Sequence, residues 1–126
     1  NSFQGTQIMN VILIGLGGGL GAILRYSLTV LVEKFWFSSF PIATLLVNII
    51  GCLLIGLALG SSIQLKDASY YFFIIGFLGS FTTMSAFSSQ SIDLFASNSP
   101  IIGSLYIMLT ISLTILATYI GLILGK

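Results

Sequence analysis

Four long stretches without charge constrain this chain more than any other feature of its sequence. The seven charged residues lie so far apart that residues 1–24, 35–65, 68–92 and 94–125 carry none. Each stretch is long enough for the ~20 residues that an α-helix needs to cross a bilayer. Only 6% of the residues are charged and 56% are hydrophobic, whereas roughly a quarter are charged in soluble domains. The sequence therefore predicts an all-α integral membrane protein.

The uncharged stretches predict four transmembrane helices in one membrane domain that covers residues 1–126. We interpret the first stretch as a transmembrane span rather than a cleaved signal peptide. No basic residue precedes it, and it is longer than the usual apolar region of such peptides. We expect a multi-pass protein of the cell membrane. The predicted bounds are Ile8 to Val32, Phe40 to Gly60, Ser69 to Ser97 and Pro100 to Gly125.

The basic residues do not favour one orientation of these spans. Lys66 and Lys126 would share one side of the membrane, whereas Lys34 lies on the other side with Arg25 leaning towards it. Each side of the membrane then has two basic residues, so the positive-inside rule predicts no preferred orientation. Two interpretations stay open: insertion in both orientations, or chance balance in a chain that is oriented by other means.

The third span contains an unusual stretch, GFLGSFTTMSAFSS, from Gly76 to Ser89. Backbone groups in lipid must be paired, so glycines and hydroxyls at this depth indicate a segment that lines protein or water. We predict a helix that breaks near Gly79 to Thr83, where freed carbonyls and amides would be available to ions. Beyond the break, Met84 and Phe87 share a helical face, and a Phe ring presents an electropositive edge to an anion.

Two interpretations stay open for the polar side chains of the other spans. Asn48 is the only strongly polar side chain of the second span. On the fourth span a stripe follows at four-residue spacing: Tyr106, Thr110, Thr114 and Thr118. These groups either hold helices together, as amides and threonines do in membranes, or they form a path for a small anion, to which an amide offers two donors and no charge.

The composition excludes several classes of function. The chain has no His and one Cys, so neither a catalytic cluster nor a metal cluster of side chains is indicated, and Cys52 is interpreted as a packing residue. With a net charge of only +1, the sequence does not have the strong positive charge that is typical of nucleic-acid-binding proteins. Arg25 either snorkels to the interface or attracts anions to a vestibule. We predict neither an enzyme nor a nucleic-acid-binding protein.

Four spans are too few to enclose a polar pore in lipid, so we expect the chain to form an oligomer with itself. Small residues let membrane helices approach closely. Four pairs of glycines have the spacing that this requires: Gly15 with Gly19, Gly17 with Gly21, Gly56 with Gly60, and Gly121 with Gly125.

Taken together, the motifs resemble those of the Fluc (CrcB) family of small fluoride channels. The resemblance is carried by GGGLGAILRY at 17–26, TLLVNIIG at 44–51 and GFLGSFTTMSAFS at 76–88. It implies an antiparallel, dual-topology homodimer in a prokaryotic cytoplasmic membrane, with two fluoride pores and a structural Na⁺ ion between the copies. It also implies a passive channel that exports cytoplasmic fluoride down its electrochemical gradient.

The resemblance implies roles for individual residues. The carbonyls of Gly79 and Thr82 would hold Na⁺, and Arg25 would lie in a vestibule. Met84 departs from the family, which usually has Phe here; a thioether lacks the electropositive ring edge, so we expect conduction to survive in a weakened or altered form. The residues implied for the fluoride pore are Asn48, Thr83, Met84, Ser85, Phe87, Tyr106, Thr110 and Thr114.

Two alternatives to a channel share some of these features. A small multidrug exporter would also be a four-span dual-topology dimer, but such transporters need a Glu embedded in the first span, and the first span predicted here has none. A non-transporting membrane subunit would use Asn48 and the threonine stripe only to hold helices together.

Overall fold

A computed structural model describes residues 2–36, 38–61, 67–97 and 99–126, and Lys66, on which the charge balance partly depends, lies outside them. The described residues form helices without strands: α1, Ser2–Phe35; α2, Ile42–Gly60; α3, in which a π-helical stretch, Tyr70–Leu78, continues into one α-helical turn, Gly79–Phe81; α4, Met84–Ser97; and α5, Pro100–Leu124. Four helical segments are long and apolar enough to cross a membrane, and α3 and α4 together form the third. The predicted fold of four spans with a broken third helix is confirmed.

α1 is longer than the first predicted span. It begins at Ser2 rather than Ile8 and ends at Phe35 rather than Val32. At 1.5 Å per residue, its 34 residues extend over about 51 Å, whereas the hydrocarbon core of a bilayer is ~30 Å thick. α1 therefore extends beyond the hydrocarbon core, and Arg25 lies within the helix rather than at its end.

The helices pair out of sequence order. α1 packs mainly on α3, and α2 packs mainly on α5. The first span thus pairs with the third, and the second with the fourth. α4 packs on α5, so the third span connects the two helix pairs through its break.

Glycines bring both helix pairs into backbone contact. A Cβ atom added at Gly21 would collide with the carbonyl oxygen of Phe77, and one at Gly121 would collide with that of Leu53. These glycines therefore serve contacts within the chain rather than between copies. Two of the glycines singled out from the sequence would meet nothing within 4 Å in the described residues: Gly15 and Gly19.

A cluster of buried hydrophobic side chains lies where α2, α4 and α5 meet. Leu45, Leu94 and Tyr106 form this core, at 4%, 3% and 0% exposure. Most of the remaining helix surface is apolar and exposed, as suits a chain whose solvent is lipid. The core thus lies beside the break in the third span.

The third span breaks at Thr82 and Thr83. Thr82 has an extended backbone, with φ −79° and ψ 155°. Its amide and its Oγ1 both donate to the Leu78 carbonyl at 3.2 Å, which closes the last turn of α3. Thr83 Oγ1 accepts from the Ala86 amide at 3.2 Å and so caps the start of α4. The break lies inside the range predicted from the sequence.

Candidate functional site

The side chain of Asn48 bridges from α2 to the break. Its Oδ1 accepts a hydrogen bond from the Thr83 amide at 2.8 Å, and its Nδ2 donates to the Thr83 carbonyl at 3.1 Å. Asn48 is buried, with 7% exposure, so these bonds satisfy backbone groups that would otherwise be unpaired in the membrane. Thr83 uses one of the two amide hydrogens. The other has no partner among the described residues and is available to a ligand.

A cavity of about 240 Å³ lies beside this pair of bonds, between α2, the break, α4 and α5. We call it the break cavity. Six of the eight residues predicted for a pore line it, together with Thr82, Cys52 and Ile111. Its full lining is Asn48, Cys52, Thr82, Thr83, Met84, Phe87, Thr110, Ile111 and Thr114. The structure thus brings most of the predicted site together, whereas the role of each residue in conduction stays a prediction.

Cys52 was not recognised from the sequence as part of the site. Its residue type alone indicates a small packing side chain. Its place one helical turn after Asn48 puts it on the same face of α2. The four-residue spacing from Asn48 was the signal that could have found it.

Thr110 differs from the other threonines of the stripe. Thr114 Oγ1 donates to the Thr110 carbonyl at 2.6 Å, and Thr118 Oγ1 donates to the Thr114 carbonyl at 3.0 Å, so both bond their own helix. Thr110 is 7% exposed, and its Oγ1 makes no well-formed hydrogen bond in the part of the chain that the structure describes, although it interacts with the hydroxyl of Tyr106 one turn earlier. A buried polar group left unpaired costs about 1–3 kcal/mol. A ligand in the break cavity would remove that cost.

Tyr106 was predicted for the pore but does not line the break cavity. Its ring is fully buried, with its centroid 5.3 Å from that of Phe87 and 5.4 Å from that of Phe40. Its hydroxyl donates to Gln90 Oε1 at 3.3 Å. Phe40 and Gln90 line a second cavity, of about 450 Å³, where α1 ends and α2 begins. Tyr106 therefore contacts the walls of both cavities.

The first turns of α4 carry an exposed polar face. Met84 borders the break cavity yet is 73% exposed. Ser85, the other predicted pore residue outside that cavity, is exposed, and its Oγ lies 3.3 Å from Thr83 Oγ1. Ser88 and Ser89 are also exposed. Hydroxyl groups at membrane depth need partners that lipid does not provide, so this face is suited to contact with another protein chain.

The break releases two backbone carbonyls from helical bonding. In a continuous helix the amides of Thr83 and Ala86 would donate to the carbonyls of Gly79 and Thr82. Here these amides donate to the side chains of Asn48 and Thr83. Gly79 and Thr82 also border a small cavity of about 170 Å³. Carbonyl oxygens are the ligands that unwound helices offer to Na⁺, so the donor set fits the ion that the resemblance implies.

Arg25 binds the end of α3 from α1. Its Nε donates to the Ser80 carbonyl at 3.0 Å. The last carbonyls of a helix lack helical partners and carry the negative end of its dipole, so a cation is stabilised there. This bond stabilises the half-buried guanidinium, and a role in a vestibule stays a prediction.

A family model described as CrcB-like protein, Camphor Resistance (CrcB), matches residues 12–122. The chain belongs to the CrcB family. It is 47% identical over 116 residues to the fluoride-specific ion channel FluC of Flavobacterium psychrophilum, across 90% of this chain and 94% of that protein. It is 36% identical over 123 residues to the fluoride-specific ion channel FluC of Azobacteroides pseudotrichonymphae, across 95% and 98%.

CrcB membership confirms the resemblance found in the motifs. The matched residues run from α1 to α5 and include Arg25, the break and the whole break cavity. Together with the four helices long enough to span a bilayer, membership makes this chain a multi-pass membrane protein.

Proposed function

We propose that the chain is a passive fluoride-selective channel of the bacterial plasma membrane. Its relatives of nearly the same length are named fluoride-specific ion channels. The observation that carries the proposal is the break cavity, where two uncharged donors lack a well-formed hydrogen bond to the described residues: the second amide hydrogen of Asn48 and the hydroxyl of Thr110.

The chemistry of these donors suits an ion that must enter and leave. Fluoride is small and strongly hydrated, so a pore has to replace its water with donors without holding it too tightly. Amide and hydroxyl groups donate hydrogen bonds and carry no fixed charge, and the ring edge of Phe87 is weakly positive. The residues that line the break cavity include no charged side chain.

A passive channel would be sufficient to expel the anion. An inside-negative potential of 100 mV favours outward movement of a monovalent anion by ~2.3 kcal/mol. Transport along this gradient requires neither ATP, nor proton coupling, nor a catalytic step. The proposal therefore assigns the chain no enzymatic activity.

The functional unit in this proposal is an antiparallel homodimer with two pores. The exposed polar face of α4 supports it, because a second copy would cover Met84 and the nearby serines. The balance of basic residues in the sequence is compatible with insertion in both orientations. In this unit the carbonyls of Gly79 and Thr82 would hold Na⁺, a fixed positive charge that raises the potential near the pores.

Efflux from liposomes tests the channel. The purified chain is reconstituted into vesicles loaded in parallel with potassium fluoride or potassium chloride, and a potassium ionophore starts the flux. Ion-selective electrodes should record fluoride release without chloride release. Equal release of both anions would contradict selectivity, and release of neither anion by both the parent and Met84→Phe would contradict a channel.

The rate of fluoride flux should depend on the side chain at position 84. Met84→Phe should raise the flux about two- to tenfold, since an aromatic contact typically contributes ~0.5–1.5 kcal/mol. The control is Met108→Phe, because Met108 is 66% exposed on α5 and does not line the break cavity. Flux through Met84→Phe equal to that of the parent would show that the side chain at position 84 does not contact the ion.

A non-transporting subunit is the second candidate. It is favoured by the hydrogen bonds of Asn48, Thr114 and Thr118, which have structural roles within the chain. Such a subunit should require a different protein as its partner. Size exclusion of the purified chain separates the two, because a channel of this kind should elute at twice the 13.5 kDa of one chain, plus detergent.

A further inference from the structure

Two different sulfur side chains line the break cavity. Cys52 lies on α2 and is the only cysteine of the chain, and Met84 lies at the start of α4. Thr110 lines the same cavity, and its buried Oγ1 lacks a well-formed hydrogen bond to the described residues. We propose that Cys52 and Met84 form a binding site for a soft monovalent metal ion of the Ag⁺ and Cu⁺ class.

The ligand types select the metal. Thiolate and thioether sulfurs are soft ligands that favour Cu⁺ over hard cations, and Ag⁺ shares this preference. Within residues 2–36, 38–61, 67–97 and 99–126 there is no group of three or more His, Cys, Asp or Glu side chains. The cavity therefore lacks the ligand set that a divalent ion such as Zn²⁺ takes.

Charge also favours a monovalent ion. A thiol that binds a metal loses its proton, so binding forms a sulfur–metal bond at Cys52 and releases one proton to water. The thiolate and the ion then sum to zero charge, and the thioether of Met84 adds none. A neutral complex avoids the desolvation penalty of a net charge in the membrane interior. A divalent ion would leave one positive charge uncompensated.

The bonds of Asn48 hold the helices that carry the two sulfur residues together at one cavity. Cys52 follows Asn48 by one turn on the same face of α2. Met84 directly follows Thr83, to which Asn48 bonds twice. These bonds fix the start of α4 against α2. The Met84 side chain is unbranched and has three rotatable bonds, so its thioether can adjust to an ion at Cys52.

The effect of the metal on transport rests on the proposed function, whereas its binding does not. Asn48, Phe87 and Thr110 line the same cavity, so an ion bound at Cys52 and Met84 would occupy the proposed fluoride path. We therefore expect Ag⁺ to block fluoride flux. Binding itself is measurable whether or not the chain conducts.

Silver binding to the purified chain in detergent tests the site. Equilibrium dialysis in chloride-free nitrate buffer, with bound silver measured by mass spectrometry, should give one Ag⁺ per chain. Cys52→Ser and Met84→Leu should each weaken the affinity about tenfold or more, because each removes a ligand and even changes to the partners of ligands cost about 10–100-fold in metal affinity. Met108→Leu removes an exposed thioether outside the cavity and should bind Ag⁺ as the parent does. No binding, or equal affinity in the parent and Met84→Leu, would overturn the two-sulfur site.

Fluoride efflux in the presence of Ag⁺ separates this inference from the proposed function, and silver fluoride is soluble enough for the assay. Ag⁺ should block the parent and Met108→Leu. If the parent binds one Ag⁺ through both sulfurs and its efflux is unchanged, the metal site stands and the proposed path through the break cavity is wrong.

Discussion

Replacing Asn48 by Asp should lower the fluoride flux by about three orders of magnitude. The carboxylate can still accept from the Thr83 amide, as Asn48 Oδ1 does at 2.8 Å. It cannot donate to the Thr83 carbonyl or to fluoride, and it places a negative charge beside the path. Two like charges ~4 Å apart repel by about 4 kcal/mol at an effective dielectric constant near 20, which is about a thousandfold in rate. Liposome efflux measures this loss.

The matched control is Asn10→Asp, the same chemical change on α1 and outside the break cavity. This variant should retain the parental flux. Size exclusion and circular dichroism of Asn48→Asp show whether its fold is intact. A folded Asn48→Asp protein that conducts within about threefold of the parent would mean that Asn48 does not contact the ion.

Gly121→Ala should prevent α2 and α5 from packing. The added Cβ would collide with the carbonyl oxygen of Leu53 and would lie 2.8 Å from the Leu57 nitrogen. Both are backbone atoms of α2, so the clash is relieved only if the helices separate. Overpacking of a tight interior costs about 1–3 kcal/mol, and this is the main helix contact in the chain. We expect the free energy of unfolding in mixed micelles to fall by ~3 kcal/mol or more.

The control for this prediction is Gly5→Ala, where a Cβ would meet nothing within 4 Å. Alanine favours the helix over glycine by about 1 kcal/mol, so this variant should be as stable as the parent or slightly more so. Equal unfolding free energies for Gly121→Ala and Gly5→Ala would show that α2 and α5 do not meet at Gly121.

The sequence predicted the break in the third span because its causes are local. Thr82 and Thr83 carry hydroxyls that bond nearby backbone groups and compete with helical bonding. The four spans were equally predictable, since a residue's charge determines whether it tolerates lipid. The π-helical stretch Tyr70–Leu78 was not predicted, because its aromatic and apolar residues are equally compatible with an α-helix in lipid.

The sequence could not predict which residues of the site form hydrogen bonds with each other. Asn48 bonds a residue 35 positions away, and Arg25 bonds the carbonyl of Ser80, which is 55 positions away. A single sequence contains no signal for such distant pairs. Likewise, periodicity placed the threonines on one face of the fourth span, but only packing decides that Thr114 bonds its own helix and Thr110 does not.

The out-of-order helix pairing also has a consequence for biosynthesis. α2 enters the membrane before its partner α5 exists. Synthesis of the chain from Gly60 to Pro100 takes about 2–8 s at ~5–20 residues per second. α2 can remain in the lipid without its packing partner, because its mean hydropathy is the highest of the four spans. A nascent chain stopped before Pro100 would hold three inserted spans. It would lack both the α2–α5 pair and the side of the break cavity that Thr110 and Thr114 line.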